Sequence, residues 1–395
     1  MTEPINLFAP EVRRNPYPTY ARLRDAPVQQ VEPGGFWAVS RHEDVAHVLK
    51  NPQVFSSAGF EALLKPSWLP QNPLADSILT KDGPAHAKLR ALVRDVFAPR
   101  AIARLEPRVR AIAAELAGRL ATLGEANFVD EFAVPFTGRV IVEILGVDPA
   151  LTGEFQEWTR HISMVSPIYP GDELANAIRA TVSKMEGYLK EVLDDRRRAP
   201  VDDTVSDLVR AEIDGSALTD EEIVAFLFVL LQGGFETTQH LLSAIVVGFM
   251  ERPDDLTELR ADRSRIATYV EESLRKEPSV HGIPRLTTVD AEIGGVKVPR
   301  GSMVLLLPGS ANRDPSVFSA PERFDAGRST QGSLAFGHGA HFCIGAPLAR
   351  LQARIAIEEL ASRFRAFSQL PGEFEYNLST VVRGPLSLPI RVHAV

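Results

Sequence analysis

The sequence is poor in cysteine, because Cys343 is the only one among 395 residues. A single cysteine excludes an intramolecular disulfide and every metal site that is built from several cysteines. Three roles remain open: a buried apolar residue, a nucleophile, or a lone thiolate ligand of a metal. The first role is the most frequent for an isolated reduced cysteine, so the flanking residues must decide.

The sequence also lacks linkers and an excess of positive charge. No Gly/Ser-rich or Pro-rich stretch and no internal repeat divides it, and its 45% hydrophobic and 24% charged residues are typical of a globular enzyme. We therefore expect one domain over residues 1–395. The formal net charge of −8 argues against binding to nucleic acid, which depends on Lys and Arg neutralising phosphates.

The first twenty residues lack a positively charged segment followed by an apolar one. Signal peptides and N-terminal membrane anchors both need that pattern. We therefore expect a cytoplasmic protein that does not associate with a membrane.

Apolar residues at helical spacing predict long helices at residues 99–123, 173–198, 221–250, 256–276 and 346–367. Strand-like runs predict small sheets around a Pro-Gly-Gly turn at residues 28–40, at about 291–307, and in the C-terminal segment 374–395. The expected fold class is mostly α with small β-sheets.

One predicted helix is unusually long and has polar residues in its middle. It begins with Thr219 and Glu222, a capping-box pattern, and ends before Pro253. About 29 residues at 1.5 Å each span roughly 43 Å, enough to cross a domain or a membrane. A core helix is favoured, because amide and ionisable groups are costly in lipid and four lie near its centre: Gln232, Glu236, Gln239 and His240.

Glycines surround the cysteine, and an amphipathic helix begins directly after it. Glycines permit a tight loop against a flat ligand. A cysteine at a helix N-terminus lies at the positive end of the helix dipole, which favours the thiolate form that an iron ligand requires.

The residues around Cys343 resemble the heme loop of the cytochrome P-450 family. The pattern F-G-x-G-x-H-x-C-x-G is matched at every fixed position by Phe336, Gly337, Gly339, His341, Cys343 and Gly345. The resemblance implies the cytochrome P-450 fold, with heme b (iron protoporphyrin IX) between a long central helix and the cysteine loop. It also implies that Cys343 is the axial thiolate ligand, whose electron donation favours O–O cleavage. One departure, Gln352 in place of the usual Glu, is expected to affect only a helix-surface interaction.

Glu272 and Arg275 lie three residues apart on one predicted helix. The simplest interpretation is an exposed salt bridge of small value. Their position upstream of the cysteine is similar to the E-x-x-R motif of the family, in which the pair binds a downstream arginine and supports the heme loop. We expect that arginine to be Arg323.

Heme carries two carboxylates, which need cationic or donor side chains when the ring is buried. A solvated surface position is the simpler interpretation for any one arginine. The resemblance nevertheless assigns four residues to these carboxylates, and they occur in the expected order along the chain: His86, Arg90, Arg285 and His341.

Gly233 and Gly234 lower the stability of the long helix and therefore need a reason. The stretch GGFETT is similar to the family motif A/G-G-x-D/E-T, where the helix bends over the iron and leaves room for dioxygen. Gly233 and Thr237 would then contact the cofactor, and Glu236 and Thr237 would be the acid and the alcohol that deliver protons. The alternative is a packing feature in which Thr237 bonds a local carbonyl.

The resemblance implies a monooxygenase that inserts one oxygen atom from O2 into an organic substrate. Electrons from NAD(P)H would arrive through a ferredoxin and a ferredoxin reductase, because the sequence has no recognisable flavin, dinucleotide or iron–sulfur motif. The protein is expected to be a monomer. The ferredoxin is expected to dock near Cys343 on positive charge from Lys88, Arg94 and Arg350.

Two other functions remain open. A peroxygenase would keep the cysteine loop but would not need the proton relay of Glu236 and Thr237. A noncatalytic heme sensor or electron carrier would keep Cys343 but would need no substrate cavity, and no compound would shift its heme spin state.

The segments that line the substrate pocket by resemblance are mostly apolar, which favours a terpenoid, steroid, fatty acid or aromatic substrate. Packing in the core is the alternative for several of them. The lining is expected from residues 58–80 with Phe60, Leu63, Leu64, Trp68 and Leu69, from residues 160–175, and from Phe228, Leu231, Gln232, Val280, Ile283, Val381 and Val382.

Overall fold

The computed structural model describes residues 5–32, 34–377, 379 and 381–395. The chain is mostly helical with small sheets, which confirms the expected fold class. It forms two compact units: the first comprises Met1–Phe55, Pro107–Phe136 and Thr237–Val395, and the second Ser56–Glu106 and Thr137–Glu236. The expectation of a single domain over residues 1–395 stays a prediction.

Helices are the main regular structure of both units. In chain order they are α1 (Pro10–Arg14), α2 (Tyr17–Asp25), α3 (His42–Lys50), α4 (Ala58–Leu64), α5 (Gly83–Val93), α6 (Pro99–Leu123), α7 (Val134–Leu145), α8 (Thr152–Ser163), α9 (Asp172–Arg198), α10 (Thr204–Arg210), α11 (Asp220–Glu251), α12 (Asp255–Ala261), α13 (Ile266–Lys276), α14 (Pro308–Ala311) and α15 (Ala346–Arg363). Single helical turns add Pro73–Asp76, Arg94–Phe97, Val129–Ala133, Pro149–Leu151, Arg263–Arg265 and Gly339–His341.

The strands are short. They are β1 (Val28–Val31), β2 (Phe36–Val39), β3 (Phe55–Ser56), β4 (Glu125–Asn127), β5 (Glu212–Ile213), β6 (Ser216–Ala217), β7 (Ile283–Thr287), β8 (Ala291–Ile293), β9 (Val296–Val298), β10 (Met303–Leu306), β11 (Phe364–Gln369), β12 (Glu375–Tyr376), β13 (Pro385–Ser387) and β14 (Pro389–Ala394). The largest sheet has the order β1-β2-β10-β7-β3, a second has the order β11-β14-β4, and the pairs β5-β6, β8-β9 and β12-β13 are hairpins.

The main sheet of the first unit is buried on both faces of its central strand β10. Val304 and Leu306 point into one apolar cluster, which includes Val45 of α3. Leu305 points into another cluster with Leu23 of α2. This alternation follows from the two-residue period of a strand, and it explains why β10 is an uninterrupted apolar run.

The second unit is held by helix packing and by ion pairs at its surface. Trp158 of α8 packs edge-on against Phe155, with ring centroids 5.0 Å apart, and lies 5.8 Å from the ring of Tyr188 on α9. Lys184 of α9 pairs with Glu154 of α8 at 2.7 Å. These contacts join α8 to α9 and position the C-terminal end of α8.

Several sequence predictions are confirmed. The helices predicted at 99–123, 173–198 and 221–250 correspond to α6, α9 and α11. The capping box is present, because the Thr219 N–H donates to Glu222 Oε2 (2.9 Å) and the Glu222 N–H donates to Thr219 Oγ1 (3.2 Å). The hairpin at 28–40 corresponds to β1 and β2. Pro33 of its turn, like Leu378 and Thr380 of the C-terminal segment, lies outside the described residues.

Three expectations about α-helical segments were wrong. The helix predicted at 256–276 is two helices, because Asp262 ends α12 and its side chain accepts a hydrogen bond from the Ser264 N–H (3.0 Å). The helix predicted at 346–367 ends at Arg363, because Phe364 is extended and begins β11, where aromatic residues are favoured. Gln352 is fully buried inside α15, so the departure at this position does not concern a helix surface.

None of the helices in the described part of the chain combines the length and the apolar character that crossing a bilayer requires. The helix α11 is long enough, yet Gln232 and Glu236 interrupt its apolar sequence.

The E-x-x-R pair is buried rather than exposed. Glu272 and Arg275 have no exposed side-chain surface, and both Glu272 oxygens accept from the Arg275 guanidinium at 2.7 Å. The third partner is Arg328, whose Nε lies 3.3 Å from Glu272 Oε1. The expectation of Arg323 was wrong, since its side chain is 72% exposed and pairs with Asp325.

Arg328 is fixed at its other end by backbone carbonyls. Its guanidinium donates to the carbonyls of Ser319, Ala320 and Arg323, and its side chain is only 9% exposed. The segment 319–328 therefore folds around Arg328 and leaves Arg323 in solvent. Spacing along the sequence does not distinguish these two arginines.

We expect Arg328→Ala to lower the free energy of unfolding by about 3 kcal/mol, because it removes a partner of the buried Glu272 carboxylate and three hydrogen bonds to backbone carbonyls. The matched variant Arg323→Ala should change it by at most about 0.5 kcal/mol. Urea unfolding of the two variants, followed by circular dichroism, checks this. Equal losses would contradict the assignment of Arg328.

Candidate active site

A chain of hydrogen bonds runs from the buried ion pair to the cysteine loop, and all of it lies in the first unit. Arg275 Nη1 donates to the carbonyl of Asn312 (2.8 Å), and the Asn312 side-chain oxygen accepts from the Leu334 N–H (2.7 Å). The Leu334 carbonyl then accepts from the Gly337 N–H (3.0 Å). This path gives the E-x-x-R pair a physical means of supporting the loop, and sequence analysis did not identify Asn312.

The cysteine loop is a tight backbone structure that closes on itself. The Cys343 N–H donates to the Phe336 carbonyl (2.9 Å), and Gly337 and Gly339 both have φ near +71°. A Cβ at position 339 would lie 3.0 Å from the carbonyl oxygen of Leu49. Glycine is therefore required at 339 by both its conformation and its surroundings.

Cys343 is exposed, although cysteine is among the residue types most often buried. It lies three residues before Ala346, where α15 begins, so it precedes the positive end of a helix dipole. Packing does not explain this placement. The placement is explained if the sulfur is presented to a ligand, and a thiolate that binds iron requires such a placement.

The guanidinium of Arg350 lies beside the loop. It stacks 4.7 Å from the centroid of the Phe336 ring and donates to both oxygens of Glu271 at 2.5 and 3.0 Å. The hydrogen bond to Glu271 raises the pKa of Arg350, and the nearby Cys343 raises it further. Because Glu271 neutralises it, Arg350 offers less positive charge to a docking partner than the sequence indicated.

The other two residues of the expected docking surface lie in the second unit. Lys88 is exposed on α5. Arg94 is exposed too, with Asp95 at 3.3 Å. Of the three expected residues, Lys88 alone shows no carboxylate partner within the described chain.

Two of the residues expected to bind the heme carboxylates lie in the first unit. Arg285 is buried on β7, where it pairs in register with Val304 of β10, and its Nη1 donates to the Pro284 carbonyl (2.9 Å). His341 is half-buried at the end of the turn Gly339–His341, two residues before Cys343. Both are therefore held by regular structure.

The other two lie in the second unit, on α5. His86 is buried and Arg90 is half-buried, and their separation of four residues places them on the same helix face. An imidazole and a guanidinium one turn apart form the kind of donor pair that a carboxylate needs.

The two glycines of α11 have different surroundings. A Cβ at Gly234 would lie 2.6 Å from Cδ1 of Ile141 on α7, so this glycine permits close helix packing. At Gly233, no heavy atom of the described residues outside its immediate neighbours lies within 4 Å of the Cβ position. Packing thus explains Gly234, whereas the open space at Gly233 fits a position reserved for a ligand.

Glu236 and Thr237 are consecutive residues of α11. The Glu236 carboxylate accepts hydrogen bonds from Ser163 Oγ (2.5 Å) and Gln232 Nε2 (3.3 Å), all within the second unit. In the first unit, the Thr237 carbonyl accepts from Ser279 Oγ (2.6 Å). Ser163 lies in no recognisable motif and far from Glu236 in sequence, so sequence analysis missed it.

The expected substrate-pocket residues are only partly accessible. Phe228 and Leu231 have no exposed surface, which agrees with core packing. Val280 forms an isolated antiparallel β-bridge with Val382 of the C-terminal segment. The Val381 carbonyl accepts hydrogen bonds from the backbone N–H groups of His281 and Gly282. Val280, Val381 and Val382 are half-buried and form one short paired segment of the first unit.

The comparison with known proteins now decides the family. The family model described as Cytochrome P450 matches residues 30–267 and 266–388. The chain is a cytochrome P450. Cytochrome P450 monooxygenase PikC of Streptomyces venezuelae is 37% identical over 387 residues, which cover 95% of this chain and 91% of PikC.

Two solved structures are similar over nearly the whole length. CYP109Q5 from Chondromyces apiculatus has a TM-score of 0.90 and 38% identity, and all of both chains is covered. CYP109E1 from Bacillus megaterium in complex with testosterone has a TM-score of 0.85 and 33% identity, with 95% of this chain and 99% of that chain covered. The cytochrome P-450 fold is thereby confirmed.

This cytochrome P450 is a heme-thiolate monooxygenase, and its cofactor is heme b. It is an oxidoreductase that uses redox partner proteins and acts on a small molecule. The residues of the first unit fit that cofactor, since they include a thiol on a glycine-rich loop and the guanidinium and imidazole donors of Arg285 and His341. Those of the second unit, taken by themselves, fit it as well, with the donor pair His86 and Arg90 and the open position at Gly233.

We expect Gly233→Ala to raise the free energy of unfolding by about 0.5–1 kcal/mol, because alanine favours a helix and nothing in the described chain fills the space. The matched Gly234→Ala should gain less or lose stability, because Ile141 must move. Urea unfolding of both variants measures this. A larger loss in Gly233→Ala than in Gly234→Ala would show that the space at Gly233 is not open.

Proposed function

We propose that Cys343 is the axial ligand of the heme iron in this monooxygenase. The observation that carries the proposal is that the only cysteine is exposed at the end of a glycine-rich loop, directly before α15. A thiolate at this position is stabilised by the N-terminus of the helix. The match to the family pattern at Phe336, Gly337, Gly339, His341 and Gly345 supports the assignment.

We propose further that four cationic or donor side chains hold the heme carboxylates. His86 and Arg90 would act from α5, Arg285 from β7, and His341 from the cysteine loop. The burial of His86 and Arg285 supports this, because buried donors of this kind are best stabilised by charged acceptors. Phe336 and Gly345 would contact the ring from the loop.

Bound heme supplies the reductive activation of dioxygen, and the proposed task of this chain is to deliver protons while excluding water. Gly233 would leave space for dioxygen. Thr237 would hold a hydrogen bond at that space, and Glu236 would supply protons to the hydroxyl of Thr237 as a general acid, a role with a typical contribution of about 10²–10⁴ in rate. Glu236 and Thr237 match the acid and alcohol positions of the family motif A/G-G-x-D/E-T, which supports this division of work.

We propose a hydrophobic substrate of the steroid or terpenoid class. The largely apolar segments that the family uses for substrate support this, as does the solved complex of CYP109E1 with testosterone. For the electron donor we propose a ferredoxin with its reductase. The support is Lys88, whose exposed charge on an acidic protein could attract an acidic partner.

We expect Thr237→Ala to separate oxygen consumption from product formation. The variant should bind heme and substrate normally and consume NAD(P)H and oxygen, but release hydrogen peroxide in place of hydroxylated product, because the relay hydroxyl is missing. Product, peroxide and NAD(P)H are measured together. The substrate must lack a hydroxyl of its own, since such a group could replace that of Thr237.

The matched variant is Glu236→Gln, which should slow turnover and leave heme content unchanged. The relay is contradicted if Thr237→Ala hydroxylates at the parental rate and with the parental ratio of product formed to NAD(P)H consumed. The residue would then serve only the packing of α11.

A further inference from the structure

The Glu236 carboxylate belongs to a compact triad of side chains in the second unit, which we call the Glu236 triad: Ser163, Gln232 and Glu236. Ser163 Oγ lies 2.5 Å from Glu236 Oε2, Gln232 Nε2 lies 2.5 Å from Ser163 Oγ, and Gln232 Nε2 lies 3.3 Å from Glu236 Oε2. The three polar atoms therefore form one closed cluster at the C-terminal end of α8.

The Ser163 hydroxyl has one proton and two acceptors within reach. One is Glu236 Oε2 at 2.5 Å, and the other is the carbonyl of Thr159, one turn earlier on α8, at 2.9 Å. A hydroxyl that bonds its own helix carbonyl is common in serine and threonine. If Glu236 moves away, the proton of Ser163 can turn to Thr159, so no donor is left unsatisfied. Release of the carboxylate therefore costs less than the loss of a full hydrogen bond.

Gln232 fixes the other side of the triad. Its Nε2 donates to both Ser163 and Glu236, whereas its Oε1 is buried with no hydrogen-bond partner among the described residues. A buried acceptor without a partner is costly, so this orientation needs a compensating reason. The reversed amide would place Oε1 against the carboxylate oxygen of Glu236, where two acceptors repel. The amide is thus oriented by Glu236.

We propose that Ser163 and Gln232 are positioning residues that form a latch on Glu236, holding its carboxylate toward α8 and releasing it at low cost. The inference rests on the proposed role of Glu236 as the acid, and it adds the step that controls it. An acid that supplies protons from solvent must alternate between two positions. Here Ser163 supplies the held position, and the Thr159 carbonyl lowers the cost of leaving it.

The test uses the heme-loaded protein labelled with ¹³C in the glutamate carboxyl groups. Infrared difference spectra between the parental protein and Glu236→Gln isolate the carboxyl band of Glu236. In Ser163→Ala that band should shift, because the shortest hydrogen bond is lost. Ser163→Thr keeps a hydroxyl and should keep the band. Thr159→Val, which removes a hydroxyl one turn away but leaves the backbone carbonyl, is the matched control and should also keep it.

The same five proteins are then compared for NAD(P)H-driven oxygen consumption with a ferredoxin and its reductase. The added probe is androst-4-ene-3,17-dione, a steroid without a hydroxyl that could replace part of the relay. Ser163→Ala should lower the maximal rate by about five- to tenfold, with an unchanged KM for the probe. This is less than the loss of a full charge-assisted hydrogen bond would give, because Glu236 leaves the latch at low cost. The solvent deuterium isotope effect should rise. Ser163→Thr should restore both values toward the parental ones.

The outcomes distinguish this proposal from the one on which it rests. If Glu236→Gln turns over at the parental rate, the proposed acid is wrong. If Glu236→Gln is slow but Ser163→Ala leaves the Glu236 band in place, the latch is wrong while the acid stands. The latch is also wrong if the band shifts and neither the rate nor the isotope effect follows it.

Discussion

A heme-thiolate enzyme must hold one charged sulfur atom at a fixed position that faces the iron. In this cytochrome P450 the sole candidate is Cys343, and the backbone around it is constrained at several points. Its N–H donates to the Phe336 carbonyl, and two glycines with positive φ permit the tight turn before it. The N-terminus of α15 then provides the positive dipole that a thiolate needs. A hydrogen-bonded path from the buried pair of Glu272 and Arg275 supports this loop.

The path of support begins at a buried pair of opposite charges. A fully buried Glu272 and Arg275 would destabilise the fold if either lacked partners, because each is a desolvated charge. The Glu272 carboxylate also pairs with Arg328 and accepts a hydrogen bond from the Asp325 N–H. The Arg275 guanidinium also donates a hydrogen bond to the Asn312 carbonyl. Since Asn312 also binds the backbone of Leu334, satisfying a buried charge pair fixes the segment that leads into the cysteine loop.

The sequence predicted what depends on local contacts. The capping box of α11 involves residues three apart, so Thr219 and Glu222 were identified correctly. The mostly helical fold and the long helices α6, α9 and α11 followed from apolar periodicity, and the family motif around Cys343 was specific enough to imply the cofactor. In each case the information lies within one helix or one loop.

Residues that depend on chain folding over longer distances were not predictable. Arg323 and Arg328 are equally plausible partners of Glu272 in sequence, and only the path of residues 319–328 places Arg328 inside. Ser163 meets Glu236 because α8 packs beside α11 within the second unit, and no pattern in the sequence carries that contact. The buried Gln352 was misjudged because the helical period alone did not show which face of α15 is covered.

The assignment of Cys343 as the iron ligand is tested most directly by the absorption spectrum of the reduced protein with carbon monoxide. The parental protein should show the red-shifted band of a thiolate ligand. Cys343→Ser and Cys343→His should lose that band together with the monooxygenase activity, because the chain has no second cysteine to take over. A thiolate-type spectrum that persists in Cys343→Ser would contradict the account.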